Sequence, residues 1–85
     1  MSTYIVYGKD NCSYCTNAKN MLTSRNEKFQ YKNLDSDYTL QTLKDLVKDI
    51  ADIEPKTFPQ IICISGDNVK YIGGFTELFS HLNSK

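Results

Sequence analysis

The sequence lacks an excess of charge of either sign, a long apolar run and a large set of cysteines. Ten basic and ten acidic residues leave the 85-residue chain without net charge, which argues against a partner that is nucleic acid or an anionic membrane. No apolar stretch approaches the length of a membrane span, and the first residues show neither the basic segment nor the apolar stretch of a signal peptide. We therefore expect a cytoplasmic monomer.

The three cysteines cannot form the complete disulfide framework that staples small secreted proteins. In a reducing compartment, a close pair of cysteines is more often catalytic or metal-binding than structural. The length allows one hydrophobic core, so we expect a single domain over residues 1–85.

The spacing of apolar residues predicts seven elements in the order βαβα and then ββα. The predicted strands are residues 3–7, a segment marked by Phe29, Tyr31 and Leu34, residues 60–64 and residues 69–72. The predicted helices are residues 13 to about 25, a segment capped by Asp35-Ser36-Asp37 and continued by Leu40, Leu43, Val47 and Ile50, and a short segment through Phe75, Leu78 and Leu82. This order predicts an α/β protein with a four-stranded mixed sheet and helices on both of its faces.

The most informative motif is Cys12-Ser13-Tyr14-Cys15, which lies where the first predicted strand gives way to the first helix. A helix N-terminus stabilises an anion, and cysteines in such positions have pKa values lowered from about 8.5 to roughly 3.5–7.5. The second thiol lies one turn later on the same face, within reach of a disulfide formed by the first. The motif therefore favours redox chemistry.

Half of a structural zinc site has the same spacing, and a structural pair without chemistry is a further alternative. Zinc would need two more ligands, for which only Cys63 and His81 are available. Cys63 lies in a strand that is predicted to be buried, where a free cysteine behaves as a small hydrophobic residue. No metal is therefore expected at these residues.

Other residues near the cysteine motif could contribute to a site. Lys9 precedes it in the same loop, where a cation would favour the thiolate, and Tyr14 would flank any bound thiol. Pro59 opens a buried strand, and a cis bond before it would turn the backbone groups of Phe58 outward. Gly73-Gly74 could let backbone N–H groups approach an anion, or could simply be a loose connection.

Three separated segments, Lys9 to Cys15, Thr57-Phe58-Pro59-Gln60 and Gly73-Gly74-Phe75-Thr76, together resemble the glutaredoxin family. The resemblance spans nearly the whole chain. It implies the thioredoxin fold with a cis proline, and thiol–disulfide exchange with glutathione as the reductant. Carried across, Cys12 is the nucleophile and Cys15 the resolving thiol. The glutathione contacts implied are Lys9, Tyr14, Thr57, Phe58, Pro59, Gly74, Phe75 and Thr76.

The chain departs from the family pattern at two positions: Ser13 stands where proline is frequent, and Phe58 stands where valine is common. The resemblance implies disulfide-containing proteins as substrates, ribonucleotide reductase among them. Two alternatives remain open at this point. One is a redoxin reduced by thioredoxin reductase, and the other is a carrier of a [2Fe–2S] cluster held by Cys12 and glutathione, which would absorb visible light.

Overall fold

The computed structural model describes residues 2–84, and it contains the seven predicted elements in the predicted order. The strands are β1 Ser2–Gly8, β2 Lys28–Asn33, β3 Gln60–Ser65 and β4 Asn68–Gly73. The helices are α1 Ser13–Ser24, α2 Leu40–Ala51 and α3 Phe75–Asn83. Over residues 2–84, the structure contains no helix with the length and apolar character needed to cross a membrane.

The four strands form one mixed sheet in the order β2-β1-β3-β4. Strand β1 pairs in parallel with β2 and antiparallel with β3, and β3 pairs antiparallel with β4. The last residues of β1 therefore lie beside the first residues of β3, since Tyr7 pairs with Gln60. Strand β4 ends beside the same place, because Gly73 pairs with Ile61. This register brings the three predicted site segments to one end of the sheet.

Two hydrophobic clusters hold the helices against opposite faces of the sheet. Alternate residues of β1 point to opposite faces, so Tyr4 and Val6 pack with residues of α1 and α3, whereas Tyr7 packs with residues of α2. The first cluster includes Ala18, Leu22, Ile61, Cys63, Leu78 and Leu82. The second includes Tyr38, Leu43, Val47 and Ile62. The predicted mixed sheet with three helices on its two faces is confirmed for the described residues.

The predicted start of α2 was wrong. The side chain of Thr39 caps this helix, because its Oγ1 accepts a hydrogen bond from the N–H of Thr42 at 3.2 Å. Residues 35–37 form a turn instead: Asp37 accepts from the N–H of Asn33 at 2.8 Å, and Asp35 is left-handed with φ 67°. Leu34 was predicted in the second strand, but β2 ends at Asn33.

The reason for this turn is the burial of Tyr38, which is only 7% exposed. Its hydroxyl donates to the carbonyl of Gly8 at 2.7 Å, and Leu34 forms an isolated bridge with Tyr38. The chain thus returns to the core before the helix begins. A short aspartate side chain can satisfy the backbone of a turn as readily as that of a helix, so the sequence cluster did not distinguish the two.

Candidate active site

Cys12 is the N-cap residue of α1, with extended backbone angles of φ −122° and ψ 105°. Its Sγ accepts a hydrogen bond from the backbone N–H of Cys15 at 3.2 Å. A sulfur at this position meets both an N–H donor and the positive end of the helix dipole. The predicted position of Cys12 at the N-terminus of the first helix is therefore confirmed.

Cys15 lies in the first turn of α1, is only 1% exposed, and forms a disulfide with Cys12. The two Cα atoms are 5.3 Å apart, within the usual range for a disulfide. One thiol of the reduced pair is thus accessible to substrate and the other is shielded. This arrangement can carry out disulfide exchange by attack of the outer sulfur and resolution by the inner one.

The two residues considered as further zinc ligands lie elsewhere. Cys63 is buried in the cluster that supports α1 and α3, and the His81 ring makes an edge contact with Tyr4 at 5.9 Å. Within residues 2–84, no group of three or more histidine, cysteine, aspartate or glutamate residues is arranged to hold a metal ion.

Most of the predicted glutathione contacts line one cleft of about 280 Å³ beside the cysteine pair. Its walls are formed by Tyr14, Thr57, Phe58, Gly74, Phe75, Thr76 and Glu77. The rings of Tyr14 and Phe75 lie 6.1 Å apart at a tilt of 32°, and Tyr14 is 61% exposed. The cleft therefore offers both aromatic faces and backbone polar groups.

Pro59 lies beneath this cleft rather than in its wall. The bond between Phe58 and Pro59 is cis, and the Pro59 side chain is fully buried. Its carbonyl approaches the other wall, because a Cβ placed on Gly74 would lie 3.5 Å from the Pro59 oxygen. Pro59 thus connects the two walls from below.

Lys9 lies at the rim, with its Nζ 5.2 Å from the centre of the Phe58 ring. It also lines a larger, polar cleft of about 780 Å³ that borders Cys12 itself, together with Asp10, Asn11, Ser13, Thr16, Lys19, Tyr31 and Asn33. Burial, and then the Asp10 carboxylate, raise the pKa of Tyr31. Cys12 therefore borders the larger cleft, and Tyr14, two residues later, lines the smaller one.

Glu77 is a site residue that the sequence analysis missed. Its carboxylate accepts a hydrogen bond from the N–H of Gly74 at 2.7 Å, directly at the start of α3. It also packs against Gly73, where an added Cβ would lie 2.9 Å from the Glu77 Cγ and where φ is +120°. The signal was present, since glutamate three residues after an N-cap is typical of a helix start.

A known protein family has a sequence pattern that this chain matches. The family model described as Glutaredoxin matches residues 4–69. No curated protein matches the sequence.

Solved structures extend the comparison to nearly the whole chain. Glutaredoxin 1 from Francisella tularensis, solved with cacodylate, has 24% identity and a TM-score of 0.74, with 99% of this chain and 95% of that chain covered. A reduced Escherichia coli glutaredoxin has 22% identity and a TM-score of 0.71, with coverages of 98% and 95%. A buckwheat glutaredoxin–glutathione complex has 19% identity and a TM-score of 0.71, with coverages of 98% and 70%. These likenesses show the thioredoxin fold.

The family match covers most of the chain and includes the two cysteines, which lie at a helix N-terminus and are joined as a redox pair. The chain belongs to the glutaredoxin family.

Proposed function

We propose that this chain is a glutathione-dependent thiol–disulfide oxidoreductase. The observation that carries the proposal is the position of Cys12, whose Sγ accepts from the Cys15 N–H, while Tyr14, between the two cysteines, lines the 280 Å³ cleft. Thiol oxidoreductase chemistry follows from the family and the cysteine pair. Glutathione as the reductant is the further step.

Three features of the cleft support glutathione. This tripeptide is extended and carries two carboxylates and one ammonium group. Lys9 offers a cation at the rim, and the first turn of α3 offers backbone N–H groups that lack partners within the helix. The Glu77 carboxylate holds the Gly74 N–H, so a bound carboxylate would meet the N–H of Phe75 or Thr76, and Glu77 would meet an ammonium group. The buckwheat neighbour is described as a glutathione complex.

The exchange on a protein disulfide proceeds in balanced steps. The Cys12 thiolate attacks one sulfur of the substrate, and the other substrate sulfur leaves as a thiolate that takes up a proton. Cys15, after losing its proton, attacks the Cys12 sulfur and releases the second substrate thiol, which leaves the Cys12–Cys15 disulfide. Two glutathione molecules then return the pair to thiols and become glutathione disulfide, which a separate NADPH-dependent reductase recycles.

Glutathione mixed disulfides need only the outer thiol. Cys12 takes the glutathionyl group, the protein thiol leaves, and a second glutathione resolves the intermediate. Proteins with exchangeable disulfides are the proposed substrates, and ribonucleotide reductase is one candidate by family resemblance.

The test is NADPH consumption with glutathione plus glutathione reductase, compared with thioredoxin reductase alone. We expect turnover with the first couple and little with the second. Cys15→Ser should lose reduction of protein disulfides and keep activity on glutathione mixed disulfides, whereas Cys12→Ser should lose both. Cys63→Ser is the matched control, because this buried cysteine lies outside the pair. Turnover with thioredoxin reductase alone would contradict the proposal, as would activity in Cys12→Ser.

A further inference from the structure

Gln60 is a buried polar side chain that is hydrogen-bonded to Thr57, a residue of the cleft wall. It is the first residue of β3, follows Pro59, and is only 3% exposed. Its Nε2 donates to the carbonyl of Thr57 at 2.7 Å and lies 3.4 Å from the Thr57 hydroxyl. Its Oε1 accepts from the hydroxyl of Tyr71. Both ends of the buried amide are therefore satisfied, as burial requires.

The partners allow one orientation of this amide. A rotation of the amide by 180° would place its oxygen against the Thr57 carbonyl, where two acceptors would face each other. Tyr71 can donate because a tyrosine phenol is protonated at neutral pH, and burial, followed by the negative charge of Glu77, raises its pKa further. The Tyr71 hydroxyl and the Thr57 carbonyl thus hold the Gln60 amide in one orientation. In turn, the hydrogen bond from Gln60 holds the Thr57 carbonyl in place.

These contacts reach both walls of the cleft. Thr57 belongs to one wall, and Tyr71 lines a groove together with Glu77, which holds the N–H of Gly74 at the other wall. The Thr57 carbonyl accepts from Gln60, so it is not left to bind a ligand.

We propose that Gln60 and Tyr71 are positioning residues that give the cleft its selectivity for glutathione, by holding the loop of residues 57–59 in the shape that receives the tripeptide. This inference rests on the proposed function. Neither side chain touches the reacting sulfur. Their effect should therefore appear in the recognition of the glutathione moiety and not in the reactivity of Cys12.

The variants should lose these hydrogen bonds without unfolding. Thr57 is exposed and Tyr71 is half-buried, so water can replace the lost hydrogen-bond partner when Gln60 becomes apolar. Replacement of buried polar groups by apolar groups of similar shape costs little stability when no partner is left unsatisfied. In Tyr71→Phe the buried Gln60 Oε1 loses its donor, so this variant should be less stable than Gln60→Met. We expect both variants to stay folded and to lose selectivity.

The experiment measures how fast the reduced protein is oxidised by glutathione disulfide and by 2-hydroxyethyl disulfide, which lacks the peptide. The ratio of the two rate constants is the selectivity. We expect the wild type to favour glutathione disulfide. In each variant this ratio should fall by about three- to tenfold, which corresponds to the net free energy of one hydrogen bond. The rate constant with 2-hydroxyethyl disulfide should stay within about twofold of the wild-type value.

Tyr38→Phe is the matched control, since it removes a tyrosine hydroxyl that is bonded to the Gly8 carbonyl, in the same hydrophobic cluster that Tyr71 packs against. It should retain the wild-type ratio. In the Gln60→Met/Tyr71→Phe double variant the ratio should fall no further than in the more affected single variant, because either change interrupts the same series of hydrogen bonds.

Every other outcome contradicts either the inference alone or the inference together with the proposed function. A wild type without preference for glutathione disulfide would overturn the proposed function and this inference together. A wild-type preference that persists in both variants would overturn the inference alone. Equal losses with both disulfides, or an equal loss in Tyr38→Phe, would show a general structural role and would likewise overturn it.

Discussion

The two cysteines of the pair differ sharply in their surroundings. Cys12 lies at the end of the helix and borders an open cleft, whereas Cys15 is buried in the first turn. Burial limits the access of reagents to Cys15. The proposed roles of Cys12 as nucleophile and Cys15 as resolving thiol thus follow from where α1 begins.

This difference can be measured on the reduced protein. Iodoacetamide at about pH 6, well below the usual thiol pKa of about 8.5, should label Cys12 at least about tenfold faster than Cys15. The physical reason is the N–H donor and helix dipole at Cys12, together with the burial of Cys15. Mass mapping of the labelled peptides gives both rates. Equal labelling would contradict the assignment of the nucleophile.

Single residues were predictable where their chemistry is local in sequence. The cysteine pair shows its role in four consecutive residues, and Tyr14 flanks it. Gln60 and Tyr71 were not recognised, because each gains its meaning from a partner on a neighbouring strand or loop. A glutamine or tyrosine in a strand has no sequence pattern that reveals a buried hydrogen bond.

Among the elements, α2 gives a direct test of the corrected helix start. Thr39→Ala should lower the free energy of unfolding by about 1 kcal/mol, the usual cost of losing an N-cap side chain. Ser36→Ala, at the position favoured by the sequence pattern, should change it by less than about 0.5 kcal/mol. Urea unfolding of the oxidised protein measures both. A larger effect at Ser36 than at Thr39 would restore the original prediction.

The order and type of elements were predictable because the period of apolar residues differs between helices and strands. The clearest case is α2, where Leu43 and Val47 are buried on one face as predicted. The helix start failed because Asp35 and Asp37 can serve a turn as well as a cap. That choice was decided by the long-range bond from Tyr38 to Gly8, which the sequence does not display.

At the scale of the whole molecule, buried and half-buried tyrosine side chains make the free energy of unfolding depend on pH in the alkaline range. Burial is the main cause that raises the pKa values of Tyr7, Tyr31, Tyr38 and Tyr71 above 10.0. Below about pH 10 these phenols are neutral in both the folded and the unfolded protein, and their contribution to the free energy of unfolding is fully present. Above it the unfolded chain loses protons first, so the free energy of unfolding should fall as the pH rises.

Urea unfolding of the oxidised protein at several pH values between about 8 and 11 measures this fall, since unfolded tyrosines titrate near pH 10. Tyr38→Phe should make the decline shallower, because it removes one of the shifted groups. A free energy of unfolding that stays constant over this range would contradict the prediction.

The separation of the cleft walls along the chain has a consequence for synthesis. The thiols and the first wall residue, Tyr14, lie in the first quarter of the sequence, whereas the other walls follow only after α2 and after β4. A nascent chain that has emerged as far as α2 already carries both sulfur atoms, but it lacks the loop of residues 57–59 and the start of α3. During translation the protein therefore passes through a stage at which its cysteines can react with oxidants, before the cleft that we propose selects among them exists.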